Sequence, residues 1–323
     1  MAPGADGVLS CGICGRTIAP ETDILGDSWC PSLPNALEDI DYDTVQGVNA
    51  EASRGTGVLW WDHIQKASPS GLPSQVLEIG AGTGLLTCGL AMQGPTWDYV
   101  ATDASAQFLA VNRSRFPRMA RPPIWLRCSF ERLPFRSGSF DAVLGNSVLH
   151  HVYDYETTLC ELRRVLRHNG ILVLGEPVLQ GTVYIGLIAR LMLQFADRTK
   201  TIYLSGEERR ALTDVATMAG REFWQHIAAR NRDNWNDKHL FDIEDLKATA
   251  LRSGFTNVQV FGWKTVDDGY MVEFVAALSH VGFTGRIVDR FAFLFQALQA
   301  SVVSQLPDQL PTAFAHIVMR ASG

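Results

Sequence analysis

Three glycines at alternate positions, Gly80, Gly82 and Gly84, carry the strongest chemical signal in the chain. They follow the apolar run Val76-Leu77-Glu78-Ile79 and precede Leu85-Leu86, so a buried strand must turn sharply into a helix there. Glycine admits the positive φ angles of such a turn and lets a ligand approach the backbone without meeting a Cβ. The first helical turn then offers free N–H groups and a partial positive charge, which suits a carboxylate or a phosphate. Glu78 stands just ahead of the first glycine, and Asp103 closes the next apolar run. A carboxylate at that strand end can accept hydrogen bonds from both hydroxyls of a ribose. The spacing is G-x-G-x-G rather than G-x-G-x-x-G, which weighs against a nicotinamide-dinucleotide loop.

Other residues could act on a substrate. His150 and His151 follow a fourth apolar run, at the edge where open α/β sheets bind ligands. Either could serve as a base, because histidine titrates near neutrality, or could simply line a pocket. Glu176 closes a fifth run and could accept a substrate proton or cap a helix. His239 reads as a solvated loop residue. Cys11-x-x-Cys14 followed by Cys30 has the look of a zinc knuckle. No fourth cysteine or histidine completes it, so three thiols are preferred to a metal site. Cys88, Cys128 and Cys160 read as small buried hydrophobes.

The elements that must position these groups alternate. Strands are expected at 75–79, 99–102, 124–128, 140–144, 171–174, 258–261 and 314–319, and helices at 59–67, 85–92, 106–116, 155–166 and 242–252. Asp242 caps the last of these helices and Gly254 stops it. Strands interleaved with helices imply crossover connections and a mostly parallel sheet covered on both faces. The expected fold is α/β, a doubly wound seven-stranded mixed sheet. Two stretches, 178–238 and 264–311, fall outside the alternation. They are helical in pattern and rich in aromatics, among them Tyr184, Phe195, Tyr203, Trp224, Trp235, Phe274, Phe283, Phe291 and Phe295, with Trp263 just ahead of the second. They are read as insertions forming a helical cap over the active site, most of the aromatics packing its core. The core is assigned to 41–177 with 239–263 and 312–323, and residues 1–40 to a Cys/Gly/Pro-rich segment.

Composition narrows the class. Hydrophobic residues make up 46% and charged residues 19%, as in a globular protein. The balance of 28 basic against 34 acidic residues, net −6, argues against a surface built to grip nucleic acid. The greasy run Thr182–Phe195 is read as too short to span a bilayer, and no leader sequence is recognised, so cytoplasmic residence with no membrane is expected.

The runs VLEIGAGTG, ATDAS, ERLPFRSGSFDAVLGNSVLHHV and LRRVLRHNGILVLGEP together resemble the class I S-adenosylmethionine (SAM)-dependent methyltransferases, in their broad small-molecule branch. The resemblance is dense over 74–177 and returns faintly over 238–260. It implies that Gly80, Gly82 and Gly84, with Glu78 and Ala81, hold the methionine part of SAM. It places Asp103 on the ribose, Ala104 beside the adenine and Asn146 toward the methionine portion. The family commonly has an acidic residue facing the adenine amine where this chain has Ser129, followed by Phe130, so that contact departs from the pattern. The expected activity is methyl transfer to a small apolar or aromatic organic molecule, in a setting such as secondary metabolism, by a monomer or homodimer. Two alternatives stay open: an RNA methyltransferase with an N-terminal zinc-like module, and a SAM-binding protein that transfers no methyl.

Overall fold

The computed structural model describes residues 48–68, 71–117, 122–218, 238–262, 269–301 and 313–322, together with three two-residue strands near the start. Those strands, β1 (Ala2–Pro3), β2 (Leu9–Ser10) and β3 (Thr17–Ile18), pair antiparallel. Cys11, Cys14 and Cys30 lie outside the described residues, as do Trp224, Trp235 and Trp263.

Helix α1 (Ala50–Ala67) leads into the main sheet. It starts nine residues before the expected helix because Asn49 caps it, its Oδ1 accepting from the N–H groups of Glu51 and Ala52 at 3.0 and 2.9 Å. Then follow β4 (Gln75–Ile79), α2 (Leu85–Ala91), β5 (Asp98–Asp103), α3 (Ala106–Arg115), β6 (Ile124–Arg127) and β7 (Phe140–Asn146). Helix α4 (Tyr155–Val165) and β8 (Leu166–Pro177) come next. The chain continues through α5 (Leu179–Thr199), α6 (Gly206–Met218), α7 (Ile243–Arg252), β9 (Phe255–Gly262), α8 (Gly269–His280), α9 (Ala292–Ser301) and β10 (Phe314–Ala321).

Seven strands form one mixed sheet in the order β6-β5-β4-β7-β8-β10-β9. The pairs β6–β5, β5–β4, β4–β7 and β7–β8 are parallel. Strand order runs outward from β4 in one direction to β6 and from β7 in the other, so the chain reverses between β4 and β7. In such sheets a crevice opens at that reversal, beyond the carboxyl ends of the strands. β8 begins five residues earlier than expected. Its pairing with β7 jumps from Phe140↔Leu166 to Ala142↔Ile171, so Arg167–Gly170 bulge out before regular pairing resumes. Asp242 caps α7 as anticipated, its Oδ1 accepting from Glu244 and Asp245 N–H.

By contact density the chain divides into two units, residues 1–175 with 247–259 and 317–323, and residues 176–246 with 260–316. The second has its own core of Ile185, Met192, Leu212, Phe274, Phe291 and Phe295. Phe195–Phe291 and Phe274–Phe295 meet edge-to-face within it, at 6.5 and 5.5 Å. The greasy run at 182–195 is part of α5, which at 21 residues is long and apolar enough to cross a membrane, contrary to the expectation that the run was too short. Ile185, Ile188, Ala189, Met192 and Ala196 on that helix are nevertheless buried in the unit's protein core. Tyr203, one of the aromatics of these stretches, is 82% exposed. Cys88 and Cys128 are buried as expected, but Cys160 is exposed on α4.

In the first unit, α1 crosses α2 where both helices carry glycine. A Cβ on Gly57 would lie 2.1 Å from the Gly89 carbonyl oxygen, and one on Gly89 would lie 2.1 Å from that of Ser53. Backbone cannot yield as a side chain can. Gly57→Ala is therefore expected to cost about 3 kcal/mol in urea denaturation by overpacking. Gly55→Ala, where a Cβ meets nothing within 4 Å, is expected to stabilise by about 0.5–1 kcal/mol through helix propensity. Equal effects at the two positions would show that the helices do not touch at this crossing.

Candidate active site

The carboxyl ends of β4, β5 and β7 surround a cavity of about 200 Å3 that lies wholly within the first unit. A hollow of about 20 Å3 between Thr87 and Trp97 has room for little more than a water. A more open groove of about 500 Å3 lies among Ser74, Arg167 and Arg320, at the opposite, amino end of the strands, and carries none of the glycine motif.

The glycine loop forms one wall. Gly80, Gly82 and Gly84 all have positive φ, and Gly84 is the N-cap of α2. The Ala81 N–H donates to the Thr102 carbonyl at 2.8 Å, and the Gly82 N–H donates to Asp103 Oδ2 at 2.8 Å. Asp103 Oδ1 accepts the Ser105 N–H at 2.8 Å, so both carboxylate oxygens are aimed by backbone donors. A carboxylate has about four lone-pair directions, so Asp103 can still accept from an incoming hydroxyl. Burial pushes the Asp103 pKa up, against the backbone hydrogen bonds that lower it.

Behind the loop lies a buried polar network that the sequence reading missed. Glu78, 2% exposed, accepts at Oε2 from Thr87 (2.6 Å) and Tyr99 (2.7 Å). Asn112 donates to Thr87 Oγ1 (2.9 Å) and the Ala81 carbonyl (3.3 Å) and accepts from Trp125 Nε1 (3.2 Å). These bonds tie α2 and α3 to the loop and fix its shape. The available signal was positional: Thr87 and Asn112 are polar residues on otherwise inward faces of two short helices.

Burial raises the Glu78 pKa to about 7, its two side-chain hydrogen bonds opposing the shift and the nearby Asp103 charge adding to it. Because the folded pKa exceeds the unfolded one, the folded state holds a proton that the unfolded state has lost between about pH 4.5 and 7. Stability must therefore fall as pH rises through that window and level off above it. Glu78→Gln keeps an acceptor for Thr87 and Tyr99 but cannot ionise. The variant is expected to show a flatter melting temperature between pH 4.5 and 7.5 than the wild type. Parallel curves would mean that Glu78 is ionised throughout.

Of the residues singled out in the sequence, Glu78, Gly80, Ala81, Gly82 and Asp103 line the cavity on the loop side. Ala104, Ser129, Phe130, Asn146 and His151 line its other walls. Gly84 shapes the helix start next to Asn112 and is not in the lining. His150 is buried, its ring centroid 4.0 Å from that of His151, and it too is not in the lining. Glu176 is fully buried at the end of β8 and falls in the second unit. His239 stacks on Phe241 at 5.7 Å. The lining also includes Phe108, Glu131, Ser147 and Val148, none of which had been singled out. Ser147 holds φ 58°, a left-handed conformation uncommon outside glycine and asparagine, where β7 leaves the sheet. Among the described residues no cluster of His, Cys, Asp or Glu could hold a metal.

A positive-φ loop, a ribose-type carboxylate and apolar walls fit an adenosyl ligand with a charged amino-acid tail. The demethylmenaquinone methyltransferase of Mycolicibacterium vanbaalenii is 32% identical over 197 residues, covering 57% of this chain and 82% of the relative. The family described as methyltransferase domain matches residues 77–174. The chain belongs to the SAM-dependent methyltransferases. The demethylmenaquinone methyltransferase of Thermus thermophilus is 30% identical over 149 residues, 46% of this chain and 67% of that protein. A reducing polyketide synthase, Preu2 of Preussia isomera, is 38% identical over 105 residues, but those are 31% of this chain and 4% of the synthase. Among solved structures, the plantazolicin methyltransferase BamL, in complex with a triazolic desmethylPZN analogue and S-adenosylhomocysteine (SAH), aligns over 90% of this chain and 94% of its own. With 14% identity and a TM-score of 0.50, that likeness concerns the fold alone.

The residues present suit SAM: Asp103 would accept from the ribose hydroxyls, and the loop at Gly80 and Gly82 would leave room for the amino-acid tail. When bound, SAM supplies an electrophilic methyl group on a sulfonium. The protein's part is to hold that group in line with a nucleophile and exclude competing geometries.

Proposed function

We propose that this methyltransferase acts on a small apolar or aromatic organic molecule and that His151 takes the proton released by the nucleophile. The observation that carries the reading is the placement of His151. It alone of the three candidate catalytic residues lines the cavity, beside Val148 and Val152 and past the end of β7, where Asn146 also faces in. Val148 and Val152, the apolar residues beside His151 in the lining, favour a greasy acceptor over a polar metabolite. The names of relatives, demethylmenaquinone methyltransferases and a polyketide synthase, support the same class. SAM, when bound, would supply the electrophilic methyl group, and the His151 imidazole would accept the proton that the nucleophile gives up.

The test is product detection by mass spectrometry, with trideuteromethyl-labelled SAM and separate panels of hydroxylated aromatics, acyl thioesters and structured RNA. Label is expected in small apolar acceptors. With the best of them, His151→Ala should lower kcat about 100-fold while SAH affinity stays within about twofold. Label on RNA alone would shift the reading to nucleic-acid methylation. An unchanged kcat would remove His151 as the base.

A further inference from the structure

The groove at the amino end of the sheet takes no part in methyl transfer. It holds about 500 Å3, lies within the first unit, and is walled by Arg167, His168 and Arg320 together with Ser74 and Asp141. The bulge in β8 presents two of the three basic residues. Residues 167–170 stand outside the regular pairing with β7, and Arg167, His168 and Asn169 are all exposed. Asn169 holds φ 61°, a left-handed turn that asparagine tolerates better than most residues.

The charges in this groove do not balance. Among the described residues Asp141 is the one carboxylate in its lining. Asp141 Oδ2 accepts from the Ser74 N–H (3.0 Å), the Ser74 hydroxyl (2.8 Å) and the Gln75 N–H (3.0 Å), and Oδ1 takes Arg167 Nη1 at 2.5 Å. That carboxylate is fully engaged. Arg320 has no acidic partner among the described residues. It donates from Nη1 to the Asn169 carbonyl at 3.1 Å and from Nη2 to the Ala67 carbonyl at 2.6 Å. Neutral carbonyls fix the guanidinium plane without cancelling its charge. Arg167 keeps Nη2 outside its bonds to Asp141 and the Gly138 carbonyl, and His168 makes no hydrogen bond or ion pair with a described residue. Two guanidiniums and an imidazole therefore border one space, in a chain whose net charge is −6.

Guanidinium forks match the oxygens of carboxylate and phosphate. A carboxylate offers two oxygens, which one fork satisfies. A phosphoryl group offers three and nearly two negative charges, which suits three basic groups around one charge-deficient space. The groove is also larger than a single oxyanion, which leaves room for the molecule that bears it. We propose that this groove binds the phosphoryl group of a small phosphorylated molecule through Arg167, His168 and Arg320, at a site separate from the cavity.

Amide NMR titrations at constant ionic strength, with inorganic phosphate, phenyl phosphate and sodium chloride, test it. Both phosphates are expected to shift the 167–171 amides saturably, with a dissociation constant of about 1 mM, and chloride is not. Arg167→Gln and Arg320→Gln should each weaken phenyl phosphate about tenfold, the worth of one hydrogen bond to a charged group, and His168→Gln about threefold. Melting curves show whether Arg320→Gln, which also loses two backbone bonds, is folded; Arg167 and His168 are exposed, so their variants read the site without that complication. Arg252→Gln breaks a different exposed ion pair, with Glu156, and should leave the affinity within about twofold. Shifts confined to the glycine loop would put the phosphate in the cavity and overturn the proposal. So would no saturable shift at 167–171, equal shifts with chloride, unchanged affinity in Arg167→Gln, or an equal loss in Arg252→Gln. Binding of inorganic phosphate with exclusion of the ester would overturn the assignment to a larger phosphorylated molecule.

Discussion

Replacing Asp103 by alanine is expected to weaken SAH binding by about 100-fold or more, roughly 3 kcal/mol. Two losses combine. The carboxylate that would accept from the ribose hydroxyls is gone, and the Gly82 and Ser105 N–H groups, each 2.8 Å from it, lose their acceptor. Gly82 lies in the loop that must hold the ligand's tail, so the loop loosens with the ribose contact. Asp103→Asn is expected to be nearly as damaging despite its shape. An amide has one oxygen and one NH2, so one of the two backbone donors would face another donor. Titration calorimetry with SAH reads both variants. Affinity within threefold of wild type in Asp103→Ala would mean that the ribose sits elsewhere.

Gly80→Ala is expected to damage folding and binding together. A Cβ there would sit 2.2 Å from Val148 Cγ1, and φ is 58°. The backbone strain costs about 1 kcal/mol and the clash about 2 kcal/mol more. Val148 is 4% exposed and packed, so it cannot swing clear without displacing neighbours. Only the clash can be relieved by trimming Val148. The double variant Gly80→Ala/Val148→Ala is therefore expected to be more stable than the sum of the two single changes predicts, by about 1–2 kcal/mol in a urea-denaturation cycle. SAH affinity should fall at least about 50-fold in Gly80→Ala and recover partly in the double variant. Strict additivity would show that the loop does not pack on the β7 exit.

Much of this fold was readable before any coordinates. The β4–loop–α2 unit announces itself because an apolar run, three spaced glycines and a second apolar run have few other uses. Asp103 and His151 could be placed at the sheet's edge for a related reason, since each ends or follows a strand whose direction the alternation dictates, whereas Asn146 came from the resemblance; all three line the cavity. Elsewhere the controlling physics was not local. Asn49 starts α1, but Gly55 and Gly57 depress helix propensity and hid its first two turns. Those glycines make sense only against Gly89, which is distant in sequence. Thr87 and Asn112 look like ordinary helix residues until Glu78 and Trp125 close a network around them. Glu176, at the end of its strand, and His151, just past the end of another, were both candidates, and of the two His151 lines the cavity. α5 was read as a short greasy run because Gln180 before it and Asp197-Arg198 after it bound the apolar stretch, although the helix includes them.

The central claim is that the cavity at the ends of β4, β5 and β7 is where SAM binds. Hydrogen exchange followed by mass spectrometry, with and without saturating SAH, tests it most directly. Slowed exchange is expected in peptides covering 80–88, 103–108 and 129–133, including the Gly82 and Ser105 amides, with little change around 167–171 at the amino end of the strands. Protection concentrated around 167–171 and Arg320, or protection that spares the glycine loop, would contradict it.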